Sequence, residues 1–157
     1  MLTYKTATGD QYDLFWQLLH DEAADYLART LELIEMSEAE FRRLFSTVGQ
    51  VYSIYCDDAL AGFYWIEERA PIAHLHGLIL ERAFQGRGIG TQVLTMLAER
   101  YTGVMDAIEL GVHASNVRAR RLYAKLGYQV VKSLPDLGFS IMQLPLASSE
   151  SSRALSI

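Results

Sequence analysis

The chain has 157 residues, half of them hydrophobic and 21% charged, with a net charge of −5. That length suits one domain with its own core, and no apolar run reaches the ~18 residues of a membrane helix. The acidic total argues against nucleic acid as the main partner. The single cysteine, Cys56, excludes an internal disulfide, and MLTYKTATGD lacks the basic-then-apolar order of a secretory leader, so a cytoplasmic location is expected.

In chain order, Leu2 to Ala7 alternates and predicts a first strand, followed by a turn at Thr8-Gly9-Asp10 with Asp10 as the candidate cap. Leu14, Leu18, Leu19, Ala23 and Tyr26 or Leu27 recur at near-helical spacing and predict a helix over 11–30. Ser37-Glu38-Ala39-Glu40 has the form of a capping box, so 38–45 should be a second helix. VYSIYC (51–56) and LAGFYWIE (60–67), separated by Asp57-Asp58, form a hairpin. Pro71 breaks the chain, and IAHLHGLILE (72–81) is a third strong strand. A helix over 90–101 carries Val93, Leu94, Leu97 and Tyr101 on one face. A strand over 107–113 follows, then a helix capped by Asn116 and closed at Gly127. The last strands are 128–132 and 139–146. The Ser-rich stretch 147–157 is expected to be a flexible tail, leaving one domain over 1–146. The order β-α-α-β-β-β-α-β-α-β-β predicts an α/β fold with a mixed central sheet and helices on both faces.

Charge is unevenly spread. Residues 1–70 hold 13 Asp/Glu against 5 Lys/Arg (−8), and residues 71–157 hold 6 against 9 (+3). An acidic half attracts cations and a mildly basic half holds anions, although solvated helix faces produce the same count.

Between the predicted strand 72–81 and the helix over 90–101 lies Gln85-Gly86-Arg87-Gly88-Ile89-Gly90. Glycine is costly to order, so three in five positions imply close approach of a ligand to the backbone. Unpaired amides at a helix N-terminus, aided by the macrodipole, suit an anion, most simply a pyrophosphate. The loop ends Gly-Ile-Gly-Thr rather than Gly-Lys-Ser/Thr. Counting from Gly86 puts Thr91 where a dinucleotide fingerprint needs glycine. The loop also follows the fourth predicted strand, not the first. Nucleoside triphosphate and dinucleotide readings are therefore poor.

Gln85-x-x-Gly88-x-Gly90 resembles the Q/R-x-x-G-x-G/A pyrophosphate loop of the GNAT superfamily of acyl-CoA-dependent N-acyltransferases. Downstream, Asn116, Ala119, Leu122-Tyr123 and Gly127-Tyr128 are similar to that superfamily's second signature. The resemblance covers residues 2 to 146. It implies a GNAT fold of about seven strands, with two parallel strands, 72–81 and 107–114, splayed to admit acetyl-CoA. It further implies pantetheine pairing along Leu78, Ile79 and Leu80, with the pyrophosphate on the amides of Gly86, Arg87, Gly88, Ile89 and Gly90. Gln85 belongs to the motif. Arg87 and Thr91 are either phosphate contacts or, respectively, a solvent-facing arginine and a helix cap. Asn116 either binds coenzyme A or only caps its helix.

By the same resemblance Tyr123 is the acid that protonates the departing thiolate, its phenol being of comparable basicity. His74 and His76, two apart on one strand, share a face and titrate near neutrality, which suits a proton relay from an ammonium. The run Ala73-His74-Leu75-His76 with Leu78, Arg82 and Phe84 is similar to the corresponding strand of arylalkylamine N-acetyltransferases. Glu81 and Glu109 are competing bases: Glu81 has opposite parity and faces away unless the strand bulges, as superfamily strands often do here, and Glu109 is expected to be structural or exposed. Cys56 reads as buried, and Trp16, Phe63, Tyr64 and Trp65 as mostly core. The four histidines lack metal-ligand spacing, so no metal is expected.

The expected function is transfer of an acetyl group from acetyl-CoA to a primary amine, with a small molecule as acceptor. Acetylation of a peptide or protein amine and a non-catalytic CoA-binding module are the alternatives. Members of the superfamily often pair, so a homodimer is admitted, although no apolar stripe demands one.

Overall fold

A computed structural model gives the fold and describes residues 1–147; beyond its first residue the expected tail lies outside them. The elements are β1 (Leu2–Thr6), α1 (Gly9–Ile34), α2 (Glu38–Thr47), β2 (Gln50–Cys56), β3 (Ala59–Arg69), β4 (Ile72–Leu80), a 3-10 turn at Arg82–Phe84, α3 (Ile89–Tyr101), β5 (Ala107–His113), α4 (Val117–Lys125), β6 (Gln129–Leu134) and β7 (Phe139–Pro145). Only the 3-10 turn was not expected. The strand order is β1-β2-β3-β4-β5-β7-β6. β4 and β5 run parallel, while the β1–β2, β2–β3, β5–β7 and β6–β7 pairs are antiparallel, so the sheet is mixed as expected.

The chain divides into two compact units. One comprises Met1–Glu67 with His76–Gly90, and the other Glu68–Leu75 with Thr91 onward.

In the first unit α1 starts two residues earlier than the sequence suggests. Thr8, not Asp10, is the residue before the helix, and its N–H donates to Gln11 Oε1 at 3.0 Å; Asp10 falls in the first turn, where its charge still suits the helix dipole. The helix runs on to Ile34 across a break at Ala23, whose φ of −139° and ψ of 34° are not helical. Ser37 caps α2: its Oγ accepts from the Glu40 N–H at 3.2 Å and donates to Glu40 Oε1 at 3.0 Å. The core is aromatic. Phe15 and Trp16 of α1 and Phe41 and Phe45 of α2 meet Phe63 and Trp65 of β3. Phe15 stacks on Phe63 at 4.8 Å, and Phe45 stands edge-on to Trp65 at 5.3 Å, geometries that add to the burial of each ring. Phe63, Tyr64, Trp65 and Trp16 are all buried, as read from the sequence. Cys56 is only half-buried, because it ends its strand.

Gly62 of β3 sits hard against β4. A Cβ there would lie 2.1 Å from the Ile79 carbonyl oxygen and 2.9 Å from the Leu80 Cα. Only glycine permits this approach, which fixes the far end of β4.

In the second unit α3 buries Val93, Leu94, Leu97 and Tyr101, the face its periodicity predicts. β5 spans Ala107 to His113, as expected, and buries Ile108, Leu110 and Val112. Leu110 pairs with Met142 across the β5–β7 ladder, and Tyr128 and Phe139 are buried beside the strands they open.

Candidate active site

β4 and β5 pair at three positions only: Ile72 with Ala107, Ala73 with Ile108, and His74 with Glu109. β4 nevertheless continues to Leu80. Leu78, Ile79 and Leu80 are half-buried on that continuation. The Leu80 carbonyl already accepts from Gln85 Nε2 at 2.9 Å.

The glycine loop follows. Gly86 and Gly88 take left-handed φ values of 73° and 77°. A Cβ at Gly86, Gly88 or Gly90 would meet nothing within 4 Å. The first two are therefore glycine for backbone conformation, and all three face open space rather than packed protein. Ile89 turns inward and is buried, which anchors the first turn of α3, while Gly86, Arg87 and Gly88 are exposed. Arg87 lies over the Phe84 ring at 5.3 Å. Gln85 is a brace: its amide donates both to the Leu80 carbonyl and to Glu22 Oε2 of α1, at 3.2 Å. Arg82 lies 3.7 Å from the other oxygen of Glu22. Thr91, half-buried, sits within the first turn of α3 rather than capping it.

His74 and His76 are both half-buried, alternating with buried Ala73 and Leu75. Each faces a carboxylate. His74 Nδ1 lies 2.8 Å from Glu109 Oε2, and Gln143 Nε2 donates to Glu109 Oε1 at 3.1 Å. Burial pushes the Glu109 carboxyl up, but the bonds from His74 and Gln143 and the charges of His74 and Arg69 outweigh it and hold the group below the usual range. Glu109 is thus neither a bare surface residue nor packing alone. His76 Nε2 lies 2.8 Å from Glu67 Oε1, and its ring stacks on Trp65 at 4.3 Å. The Tyr26 hydroxyl of α1 donates to the His76 carbonyl. Glu81 falls one residue past the end of β4. Its N–H donates to the Ala61 carbonyl at 2.8 Å and its carbonyl opens the 3-10 turn, accepting from Phe84.

Asn116 Oδ1 accepts from the Ala119 N–H at 3.2 Å and so caps α4. Tyr123 follows two turns later on the same face and is half-buried, its ring 5.7 Å from that of Tyr128. The Tyr128 N–H closes the helix on the Tyr123 carbonyl at 2.9 Å. The Tyr128 hydroxyl is buried with no hydrogen-bond partner among the described residues, and burial, followed by the neighbouring Tyr123, raises its pKa far above the ordinary phenol value.

Residues 12–128 match the Acetyltransferase (GNAT) family, a span that holds the loop, both histidines and Tyr123. The chain belongs to the GNAT family. It is 35% identical over 71 residues to the mycothiol acetyltransferase of Kineococcus radiotolerans, covering 45% of this chain and 23% of that protein. The chain spans less than half the length of the curated relatives it matches. Its fold is similar to the ribosomal-protein-S18-alanine N-acetyltransferase from Escherichia coli, with a TM-score of 0.72 and 21% identity over 95% of this chain and 96% of that one. It is also similar to the paia N-acetyltransferase from Thermoplasma acidophilum, solved in complex with coenzyme A: TM-score 0.66, 18% identity, 92% and 99% covered.

In this GNAT chain sequence reasoning missed Glu67 as the partner of His76, Glu109 as that of His74, and Glu22 as the anchor of Gln85. Glu109 and Glu22 lie 35 and 63 residues from their partners, and Glu67 nine residues from His76 on the preceding strand, so only the register of a sheet or the packing of a helix reveals the contacts. Among the described residues no three His, Cys, Asp or Glu side chains gather as metal ligands.

Proposed function

We propose that this GNAT-family chain transfers an acetyl group from acetyl-CoA to a primary amine, most simply that of a small molecule. The observation that carries this reading is the loop before α3: two left-handed glycines and a third, all opening on space, present backbone amides at a helix N-terminus. Such a cradle suits a pyrophosphate, so the residues present fit coenzyme A. Gly86 to Gly90 would hold the diphosphate, Leu78 to Leu80 would line the pantetheine, and Thr91, Arg87 and Asn116 are the further candidate contacts. Gln85 would act by holding the loop to β4 and α1 rather than by touching the ligand.

When bound, acetyl-CoA supplies the acetyl thioester. The chain's own tasks are then to take a proton from the substrate ammonium and to return one to the departing thiolate. Tyr123 is the donor in this reading. His74 and His76, each within hydrogen-bond reach of a carboxylate, are the acceptors, in preference to Glu81, which lies beyond the strand. The acidic first 70 residues, at −8, favour a cationic acceptor. The similar proteins are named for mycothiol and for an alanine of ribosomal protein S18, so the acceptor screen needs both kinds of amine.

The test is calorimetric titration with acetyl-CoA, with NADH and ATP as controls, followed by a screen of amines and peptides read by free-thiol release. Selective binding with turnover of a small amine is the expected result. Binding without turnover of any acceptor would favour a CoA-binding regulatory module. No binding would overturn the reading.

A further inference from the structure

We infer that Glu22 of α1 is a positioning residue for acetyl-CoA: its carboxylate holds Gln85, and through Gln85 the loop Gly86–Gly90, in the conformation that receives the diphosphate. The inference deepens the proposed function and rests on this loop being the diphosphate site.

The 3-10 turn at Arg82–Phe84 joins β4 to the loop, and one carboxylate spans it. Glu22 Oε2 accepts from Gln85 Nε2 at 3.2 Å, just after the turn, and Glu22 Oε1 lies 3.7 Å from Arg82 Nε at its start. The same Gln85 nitrogen donates to the Leu80 carbonyl at 2.9 Å. A side-chain amide nitrogen carries two hydrogens, so both are engaged within the protein. What remains on Gln85 is a carbonyl oxygen, which an anion repels. Gln85 therefore serves the diphosphate by placing the backbone that follows it.

The tie matters because the rest of the segment is lightly held. Its backbone bonds are local: the Phe84 N–H donates to the Glu81 carbonyl, and the Gln85 N–H to the Arg82 carbonyl. Gly86, Arg87 and Gly88 are exposed, and the two left-handed glycines leave the chain wide conformational freedom. Buried Ile89 fixes the far end of the loop. Glu22, 63 residues away in sequence, fixes the near end. Its side chain is only 15% exposed. It stands next to the break at Ala23, beyond which Tyr26 donates to the His76 carbonyl of β4. A loop already held in its binding conformation loses less entropy when the ligand arrives, and affinity rises accordingly.

Charge and reach act in opposite directions at this residue. A carboxylate beside an anion site disfavours the anion by charge alone. Arg82 offsets little of that, being 83% exposed and 3.7 Å away. If charge decided, neutralising Glu22 would tighten acetyl-CoA binding. Because the bond to Gln85 decides, shortening the side chain weakens binding and neutralising it does not.

The experiment is calorimetric titration of wild type, Glu22→Gln and Glu22→Asp with acetyl-CoA. E22Q keeps an acceptor at the same reach and loses the charge. E22D keeps the charge and withdraws the acceptor by one methylene. E22Q should bind within about twofold of wild type, and E22D about fivefold or more weakly, the loss of one hydrogen bond. Adding E22D to Gln85→Ala should weaken binding no further, because the two residues act as one unit. Turnover of acetyl-pantetheine, which has no diphosphate, should keep its kcat/KM in E22D, which a general loss of structure would not spare. Severalfold tighter binding by E22Q, wild-type affinity in E22D, additive losses in the double variant, or an equal loss with acetyl-pantetheine would each overturn the inference. If E22D does not fold, E22Q still decides: unchanged affinity supports the hydrogen bond, and tighter binding overturns it. A wild type that binds no acetyl-CoA overturns the proposed function and this inference with it, whereas variants that fail these expectations beside a binding wild type overturn the inference alone.

Discussion

His74 and Glu109 are joined across the β4–β5 ladder, Nδ1 to Oε2 at 2.8 Å, at the last pair the two strands make. The bond therefore closes the paired part of the ladder, and Gln143 of β7 holds the carboxylate from the other side. Glu109 sits below the usual carboxylate range, so its contribution to stability is fully present above that range and is lost as pH falls through the folded value. Glu109→Gln should destabilise the protein by about 1–2 kcal/mol at pH 7.5, the worth of a hydrogen bond to a charged group, and by less in acid, once the pH has fallen through the folded value of the carboxyl. Urea melts under the two conditions measure this. Equal losses at both would mean that packing, not charge, accounts for the pair.

Gly88 separates backbone conformation from packing. Its φ of 77° disfavours any side chain, yet a Cβ would meet nothing within 4 Å. Gly88→Ala should cost about 1–2 kcal/mol of stability through the left-handed backbone alone. It should weaken acetyl-CoA binding at least tenfold, because the methyl projects into the space the ligand is proposed to use. Thermal melts and calorimetry on the same variant read both. Unchanged affinity in a folded G88A protein would remove the diphosphate from this loop.

Gly62 is the opposite case, since its neighbours leave no room. Gly62→Ala would drive a methyl into the Ile79 carbonyl of β4. A clash with backbone has no side chain that can yield, so a loss above about 3 kcal/mol is expected in denaturant melts. A loss under 1 kcal/mol would show that β4 can move away. Because Leu78 to Leu80 follow from that contact, any folded G62A protein should also bind acetyl-CoA more weakly.

These particulars explain what the sequence could reveal. The alternation of VYSIYC and IAHLHGLILE, the Ser37 cap, the Asn116 cap and the glycine loop are all local patterns, and each element lies where its pattern puts it. α1 shows the limit. Its apolar spacing predicts a helix to Thr30, but the break at Ala23 and the continuation to Ile34 are not in that pattern. The candidate site divides in the same way. Gly86, Gly88 and Tyr123 were legible by motif. The pairing of Glu67 and Glu109 with the two histidines was not, because a charged strand residue shows no partner until the fold brings a neighbouring strand beside it. Gln85 was legible as a motif residue but not as a brace, since Glu22 lies 63 residues away.

Tyr123 and Tyr128 lie 5.7 Å apart, and removing either hydroxyl should give opposite results. The Tyr128 hydroxyl is buried without a partner among the described residues, a state that costs about 1–3 kcal/mol. Tyr128→Phe removes that cost and keeps the ring, so the melting temperature should stay the same or rise, with kcat within twofold of wild type. Tyr123→Phe should leave stability and acetyl-CoA affinity nearly unchanged and lower kcat by about 10²–10⁴, the usual worth of a positioned acid. Steady-state kinetics and melts on the two single variants decide between them. A lowered melting temperature for Y128F would mean that its hydroxyl has a partner, such as a water. An unchanged kcat for Y123F would withdraw Tyr123 as the acid and leave the thiolate to be protonated by solvent.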